Sequence, residues 1–126
     1  MVTWILWALI LAMLAWMGFN YLRIRRAAKI VDNEEFEALI RTGQLIDLRD
    51  PAEFHRKHIL GARNIPSSQL KTSLAALRKD KPVLLYENQR AQRVTNAALY
   101  LKKQGFSEIY ILSYGLESWK GKVKTS

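Results

Sequence analysis

The sequence predicts an α/β fold, a small parallel sheet flanked by helices, preceded by one apolar helix of membrane-crossing character. From about residue 33 onward, short apolar runs alternate with helical stretches, the pattern of a parallel sheet with helical crossovers. Val2 to Phe19 contains no charged side chain, about the shortest length that spans a bilayer. The 126 residues, 49% hydrophobic and 25% charged, suit one small globular domain rather than a disordered chain.

In the apolar run the polar positions are Thr3 and Gly18, and Trp4 and Tyr21 stand near its ends as interface anchors do. Arg23, Arg25, Arg26 and Lys29 follow at once. A buried core helix or a cleaved signal peptide are the alternatives. A signal peptide would carry its charge ahead of the run and small residues at its end, whereas Trp16, Met17 and Phe19 are bulky. Residues 1–22 are therefore read as a retained anchor, 23–32 as a basic juxtamembrane linker, 33–122 as the folded domain and 123–126 as a basic tail. Positive charge after the helix holds that side in the cytoplasm, so the expected location is the cell membrane, crossed once, with the domain inside. The lack of cysteine agrees with a reducing compartment.

The net charge of +9 comes from 20 basic and 11 acidic residues. The basic residues cluster at the juxtamembrane segment and at Lys120, Lys122 and Lys124. Beside an anchor such clusters meet anionic lipid headgroups, each contributing about 1 kcal/mol near the surface. Membrane lipid, reached through Val2 to Leu22 and the basic flank, is thus an expected partner. Nucleic acid is the other reading of a basic chain, but no stacking aromatics interleave the basic residues, and no nucleic-acid partner is expected.

Asp32 is placed to cap a helix through Glu34, Glu35, Phe36, Leu39 and Ile40 that Gly43 ends. Gln44 to Leu48 reads as a strand, and Asp50 before Pro51 as the N-cap of a short helix through Ala52, Glu53 and Phe54. Ile65 should end an apolar strand at Pro66, with Ser67 or Ser68 capping a helix that carries Leu70, Leu74 and Leu77. Lys79 to Pro82 turn into the strand Val83 to Tyr86. Arg93 to Gln104 forms a helix with Ala97, Ala98 and Leu101 on one face, and a last strand spans Ile109 to Leu112. Trp119 with Phe106 is expected to close the core.

Parallel sheets place ligands at the carboxyl ends of their strands. The loop Glu87 to Arg93 lies at such an end, as do Asp47 and Arg49. A strand-to-helix loop turns backbone N–H groups and the positive helix end toward one spot, which suits an anion.

Leu45-Ile-Asp-Leu-Arg49, Pro51, Glu53-Phe54, His58-Ile59, Gly61-Ala62 and Asn64-Ile65-Pro66 resemble the rhodanese homology domain, in order. Val83 to Tyr86, Ala97-Ala98, Leu101, Gly105-Phe106, Ile109 to Leu112 and Gly115 before Trp119 extend the resemblance over roughly residues 30 to 122. With the anchor, the chain is similar to small membrane-tethered rhodanese-like proteins of Gram-positive bacteria. The resemblance implies the rhodanese-like three-layer fold and sulfurtransferase ancestry. In active members a cysteine after the central strand carries a persulfide, held by loop N–H groups and an arginine.

Counting forward from Tyr86 puts Glu87 at the cysteine position; counting back from Ala97, Ala98 and Gly105 puts Asn88 there. The second count puts Ala91 at the loop glycine and Arg93 at the loop arginine. The Glu87 to Arg93 spacing also matches that of phosphatase-like relatives. Tyr114 stands where the family usually has glycine. Neither a carboxylate nor a carboxamide holds a persulfide, so sulfur transfer by the usual route is excluded and no catalytic residue is assigned. Glu87, Asn88, Gln89, Arg90, Ala91, Gln92 and Arg93 form a degenerate active-site loop, with Arg90 and Arg93 as candidate anion ligands.

Glu87 either folds into the anion site, pairing with Arg90 or Arg93, or faces solvent. Asp47, Arg49, Glu53 and His58 are read as structural residues beside the site, the first three in an ion-pair and cap network. A lone histidine is weak grounds for metal, and neither metal nor cofactor is expected. The leading function is a catalytically inactive module at the cytoplasmic face of the membrane that binds a protein partner or senses a small anion. The alternatives are an enzyme with altered loop chemistry, sulfurtransferase-like or phosphatase-like, and an inert membrane-surface adaptor.

Overall fold

A computed structural model describes residues 2–89 and 92–125. Helix α1 (Val2–Ala27) runs directly into the edge strand β1 (Lys29–Val31), followed by α2 (Asn33–Ile40), β2 (Gln44–Asp47), α3 (Pro51–Arg56), β3 (Lys57–Ile59) and β4 (Arg63–Asn64). Two 3-10 turns (Ser67–Thr72 and Leu74–Ala76) lead to β5 (Val83–Tyr86), α4 (Gln92–Lys103), β6 (Ile109–Leu112), a 3-10 turn (Leu116–Ser118) and β7 (Val123–Thr125).

The main sheet has the order β1-β6-β5-β2-β4 with every pairing parallel. The register sets Leu45 beside Leu84 and Asp47 beside Tyr86. Because side chains alternate across a strand, Val83 and Leu85 join the core under α4 and the 3-10 turns, with Val94, Ala98, Leu101 and Phe106. Leu84 and Tyr86 join the opposite core with Val31, Phe36, Ile59 and Leu116. Three layers result, and β5 is buried on both faces, which explains its unbroken apolar sequence.

Asp32 caps α2 through a side-chain oxygen that accepts the Glu35 N–H at 2.9 Å. α3 begins at Pro51, but Asp50 makes no side-chain cap bond; proline at the first helical position fixes the start by its own φ. The helix expected from Ser67 to Leu77 is replaced by two 3-10 turns without side-chain caps, joined at Ser73. Leu70 and Leu77 are buried while Leu74 is only packed against the core edge, so three leucines at helical spacing do not make one helix here. β4 stops at Asn64, before Ile65.

Trp119 meets Phe36 edge-on, with ring centroids 5.8 Å apart, whereas Phe106 lies in the other core; the expected Trp119–Phe106 closure is corrected accordingly. Three strands were not foreseen. β1 forms the sheet edge against β6, and β7 pairs antiparallel with β3, His58 opposite Lys124. All three are short and lie in charged segments, so apolar patterning gives no sign of them. Val2–Leu22 has a mean hydropathy of 2.0 and is not buried against the domain, and by length and composition it could cross a membrane.

Candidate active-site loop

At the carboxyl ends of β2 and β5 the chain builds a buried polar network. Asp47 is completely buried, where a carboxylate survives only if paired and hydrogen-bonded. Arg49 Nε donates to its two oxygens at 3.0 and 3.1 Å, and Arg49 Nη2 donates to Oδ2 at 2.8 Å. The Tyr86 hydroxyl donates to the same Oδ2 at 2.7 Å and accepts the Ile59 N–H at 3.1 Å, tying β3 to β5. Arg49 also donates from Nη1 to Asn88 Oδ1 at 3.0 Å and from Nη2 to the Lys57 carbonyl.

Burial pushes the Tyr86 pKa well above the usual phenol range, and the Asp47 charge adds to the rise. For Arg49, burial lowers the pKa, but the hydrogen bond and charge of Asp47 outweigh it and the net shift is upward. Both groups are therefore locked in one protonation state at neutral pH, which suits scaffold rather than proton transfer.

Glu53 joins at one remove: Asn88 Nδ2 donates to its carboxylate at 2.7 Å. His58 stacks on Phe54 with centroids 3.8 Å apart, and its Nδ1 lies 2.8 Å from the Phe54 carbonyl oxygen, so that nitrogen is the donor. It pins the junction of α3 and β3. Among the described residues no group of three or more His, Asp or Glu is placed to hold a metal.

Glu87 follows β5 directly and is 8% exposed. Its Oε2 accepts the backbone N–H of Val94 at 2.8 Å, one of the first-turn donors that a helix leaves unsatisfied. A carboxylate there gains from the positive end of α4. Asn88 instead turns toward Arg49 and Glu53, and Gln89 donates to Glu117 at 2.8 Å. Gln92 and Arg93 are exposed. Arg93 lines a groove of about 330 Å³ with Ser67, Ser68, Lys71, Asn96 and Tyr100. A different cleft of about 270 Å³ opens beside the loop between Arg49, Glu53, Arg56, Lys57, Asn88, Leu116 and Glu117. Arg90 and Ala91 lie outside the described residues, and with them the reading of Arg90 as an anion ligand and Ala91 at the loop glycine.

The loop backbone is clamped from the far side. Leu116 N–H donates to the Glu87 carbonyl at 2.8 Å and Glu117 N–H to the Asn88 carbonyl at 3.1 Å. Gly115, at φ 70° and ψ −167°, makes that approach possible, a region open essentially to glycine. A Cβ at this position would stand 2.5 Å from both carbonyl oxygens.

Sequence reasoning missed Tyr86 as the hub of the network and Gly115 as the clamp. The signal for Tyr86 was a hydroxyl-bearing residue ending an otherwise apolar strand, level with the only acid of the neighbouring strand. For Gly115 no local signal distinguishes a close approach from an ordinary turn.

The family profile of the rhodanese-like domain matches residues 32–122. The uncharacterized protein YqhL of Bacillus subtilis is 48% identical over 113 residues, 90% of this chain and 89% of that one. The thiosulfate sulfurtransferase GlpE of Stutzerimonas stutzeri is 37% identical over 95 residues, 73% of this chain and 84% of that protein. A rhodanese-related protein from Thermoplasma volcanium superposes with a TM-score of 0.70 at 23% identity, covering 78% of this chain and 99% of the other, and so shares the fold. With the profile spanning most of the chain and the parallel sheet carrying its loop at the expected edge, this cysteine-free chain belongs to the rhodanese-like domain family.

Proposed function

We propose that this rhodanese-like domain is catalytically inactive, is held at the cytoplasmic face of a bacterial cell membrane by α1, and presents its degenerate loop to a protein partner. The observation that carries the reading is the Glu87 carboxylate accepting the Val94 N–H at 2.8 Å. Glu87 directly follows β5, one of the two positions on which the family's cysteine falls by the sequence counts, and its charge sits where an incoming oxyanion would need the same donors. Thiosulfate is repelled and no thiolate awaits it. Phosphoryl transfer to a carboxylate would need a cation to offset the negative charge.

The cleft beside the loop favours a protein segment over a small anion. Its basic residues are offset by Glu53 and Glu117, and Leu116 contributes an apolar patch; mixed charge around an apolar floor suits a polypeptide surface. The Arg93 groove, with Lys71 and two serines, supports a second reading in which a small anion binds away from the loop.

Incubation of the full chain with thiosulfate and cyanide, followed by thiocyanate formation, tests the first reading. It predicts no turnover above the uncatalysed rate. Turnover that disappears on Arg93→Ala would overturn it.

A further inference from the structure

We infer that the amino end of the sheet is a second membrane-contacting surface, one that docks the folded domain on anionic lipid headgroups and points the Glu87 loop away from the bilayer. The inference rests on the membrane tethering proposed above and adds an orientation that tethering alone does not give.

In an all-parallel sheet every strand starts at the same end. Lys29 begins β1, and Pro82, whose carbonyl receives the Gln44 N–H, precedes β5. α2 and α4 run back to that end, so their last residues join it: Arg41 caps α2, and Lys102 and Lys103 close α4. Lys79 lies over the Phe106 ring, 5.8 Å from its centroid, and reaches the Gly105 turn that follows α4. Lys29, Arg41, Lys79, Lys81, Lys102 and Lys103 are all exposed there. Of the acids, Asp80 and Glu108 share this end, and Asp80 is already paired with Arg78 at 2.6 Å; Glu35, in the first turn of α2, reaches Lys29 at 3.9 Å, both side chains exposed, a surface pair that offsets little of the charge.

A second, independent observation points the same way. α1 enters β1 through Ala28 alone, so the apolar helix emerges from the end that carries these cations. The opposite end is of mixed charge: Asp47, Asp50, Glu53, Glu87 and Glu117 stand among Arg49, Arg56 and Lys57. β7 carries Lys124 to His58, beside that far end, so the tail lysines do not belong to the docking face. A basic surface held next to a bilayer is attracted to anionic headgroups over about a Debye length.

The chain has no cysteine, so one introduced thiol reports one place. Full chain carrying Gln104→Cys at the amino end, or Asp50→Cys at the carboxyl end, is labelled with a fluorophore. It is then reconstituted in nanodiscs containing headgroup-spin-labelled lipid, with either phosphatidylglycerol or phosphatidylcholine. Quenching of the Gln104 label is expected in the anionic discs and is expected to be lost in neutral discs, in about 0.5 M salt where the Debye length is about 4 Å, and in the Lys79→Glu, Lys102→Glu, Lys103→Glu variant. The Asp50 label is expected to stay unquenched throughout. Equal Gln104 quenching in both lipids, no quenching in either, or quenching at Asp50 overturns the inference. Flotation with vesicles after carbonate washing reads the anchor separately: a chain washed off refutes tethering, while lipid-dependent quenching still decides the docking face.

Discussion

The Glu87 carboxylate and the Val94 backbone N–H meet at 2.8 Å across the start of α4, so the residue directly after β5 also caps the helix that follows the loop. Glu87→Gln keeps an acceptor and removes the charge. A carboxylate at a helix N-terminus contributes about 0.3 to 1 kcal/mol, and up to about 2 when partly buried. Thermal unfolding of the full chain should shift down by several degrees, since about 1 kcal/mol corresponds to about 4 to 8 °C in a domain of this size. An unchanged midpoint would contradict the capping role.

Arg49 holds the buried Asp47 charge from three directions. Arg49→Met should cost about 3 to 5 kcal/mol, because one partner of a buried pair is then left uncompensated. Combining it with Asp47→Asn should recover much of that loss, and a urea-denaturation double-mutant cycle measures the difference. Simple additivity of the two changes would argue against a coupled pair.

Tyr86→Phe removes the hydroxyl shared by Asp47 and the Ile59 N–H, and should cost about 1 to 3 kcal/mol at neutral pH. Its pKa is raised in the fold, by burial first and the Asp47 charge second. The neutral form is therefore favoured on folding, and this contribution is fully present below the unfolded value near pH 10 and is lost as pH climbs above it. Between about pH 10 and 11.5 the native chain should lose stability more steeply than Tyr86→Phe, by about 1.4 kcal/mol per pH unit. Parallel slopes in urea titrations would rule this out.

Gly115→Ala should cost about 1 to 3 kcal/mol from backbone strain, with a further loss because its Cβ meets the Glu87 and Asn88 carbonyls. Hydrogen exchange at Leu116 and Glu117, whose N–H groups bond those carbonyls, should accelerate more than exchange in β5. Uniform acceleration would mean global destabilisation without a local clamp.

The fold was legible where local pattern and tertiary packing agree. Val83 to Tyr86 and Ile109 to Leu112 are strands at the expected bounds, because central parallel strands are buried on both faces and read as unbroken apolar runs. Asp32 at the N-cap of α2 needed only its own neighbours. β1, β3, β7 and the Leu70 to Leu77 segment were not legible, since their structure is set by a partner strand or a core edge distant in sequence. At the site, Asp47 with Arg49 stood out as paired charges, but the bonds of Arg49 to Asn88 and the Lys57 carbonyl depend on loops that meet only after folding.

The central claim is that Glu87 fills the loop's anion cradle, and its most direct test is a sulfate and thiosulfate titration of the full chain, native and Glu87→Ala, followed by amide shifts at Asn88 and Val94. The account predicts no saturable shift in the native chain and a saturable one in Glu87→Ala, where the Val94 N–H is released. Saturable binding at these amides in the native chain would contradict it.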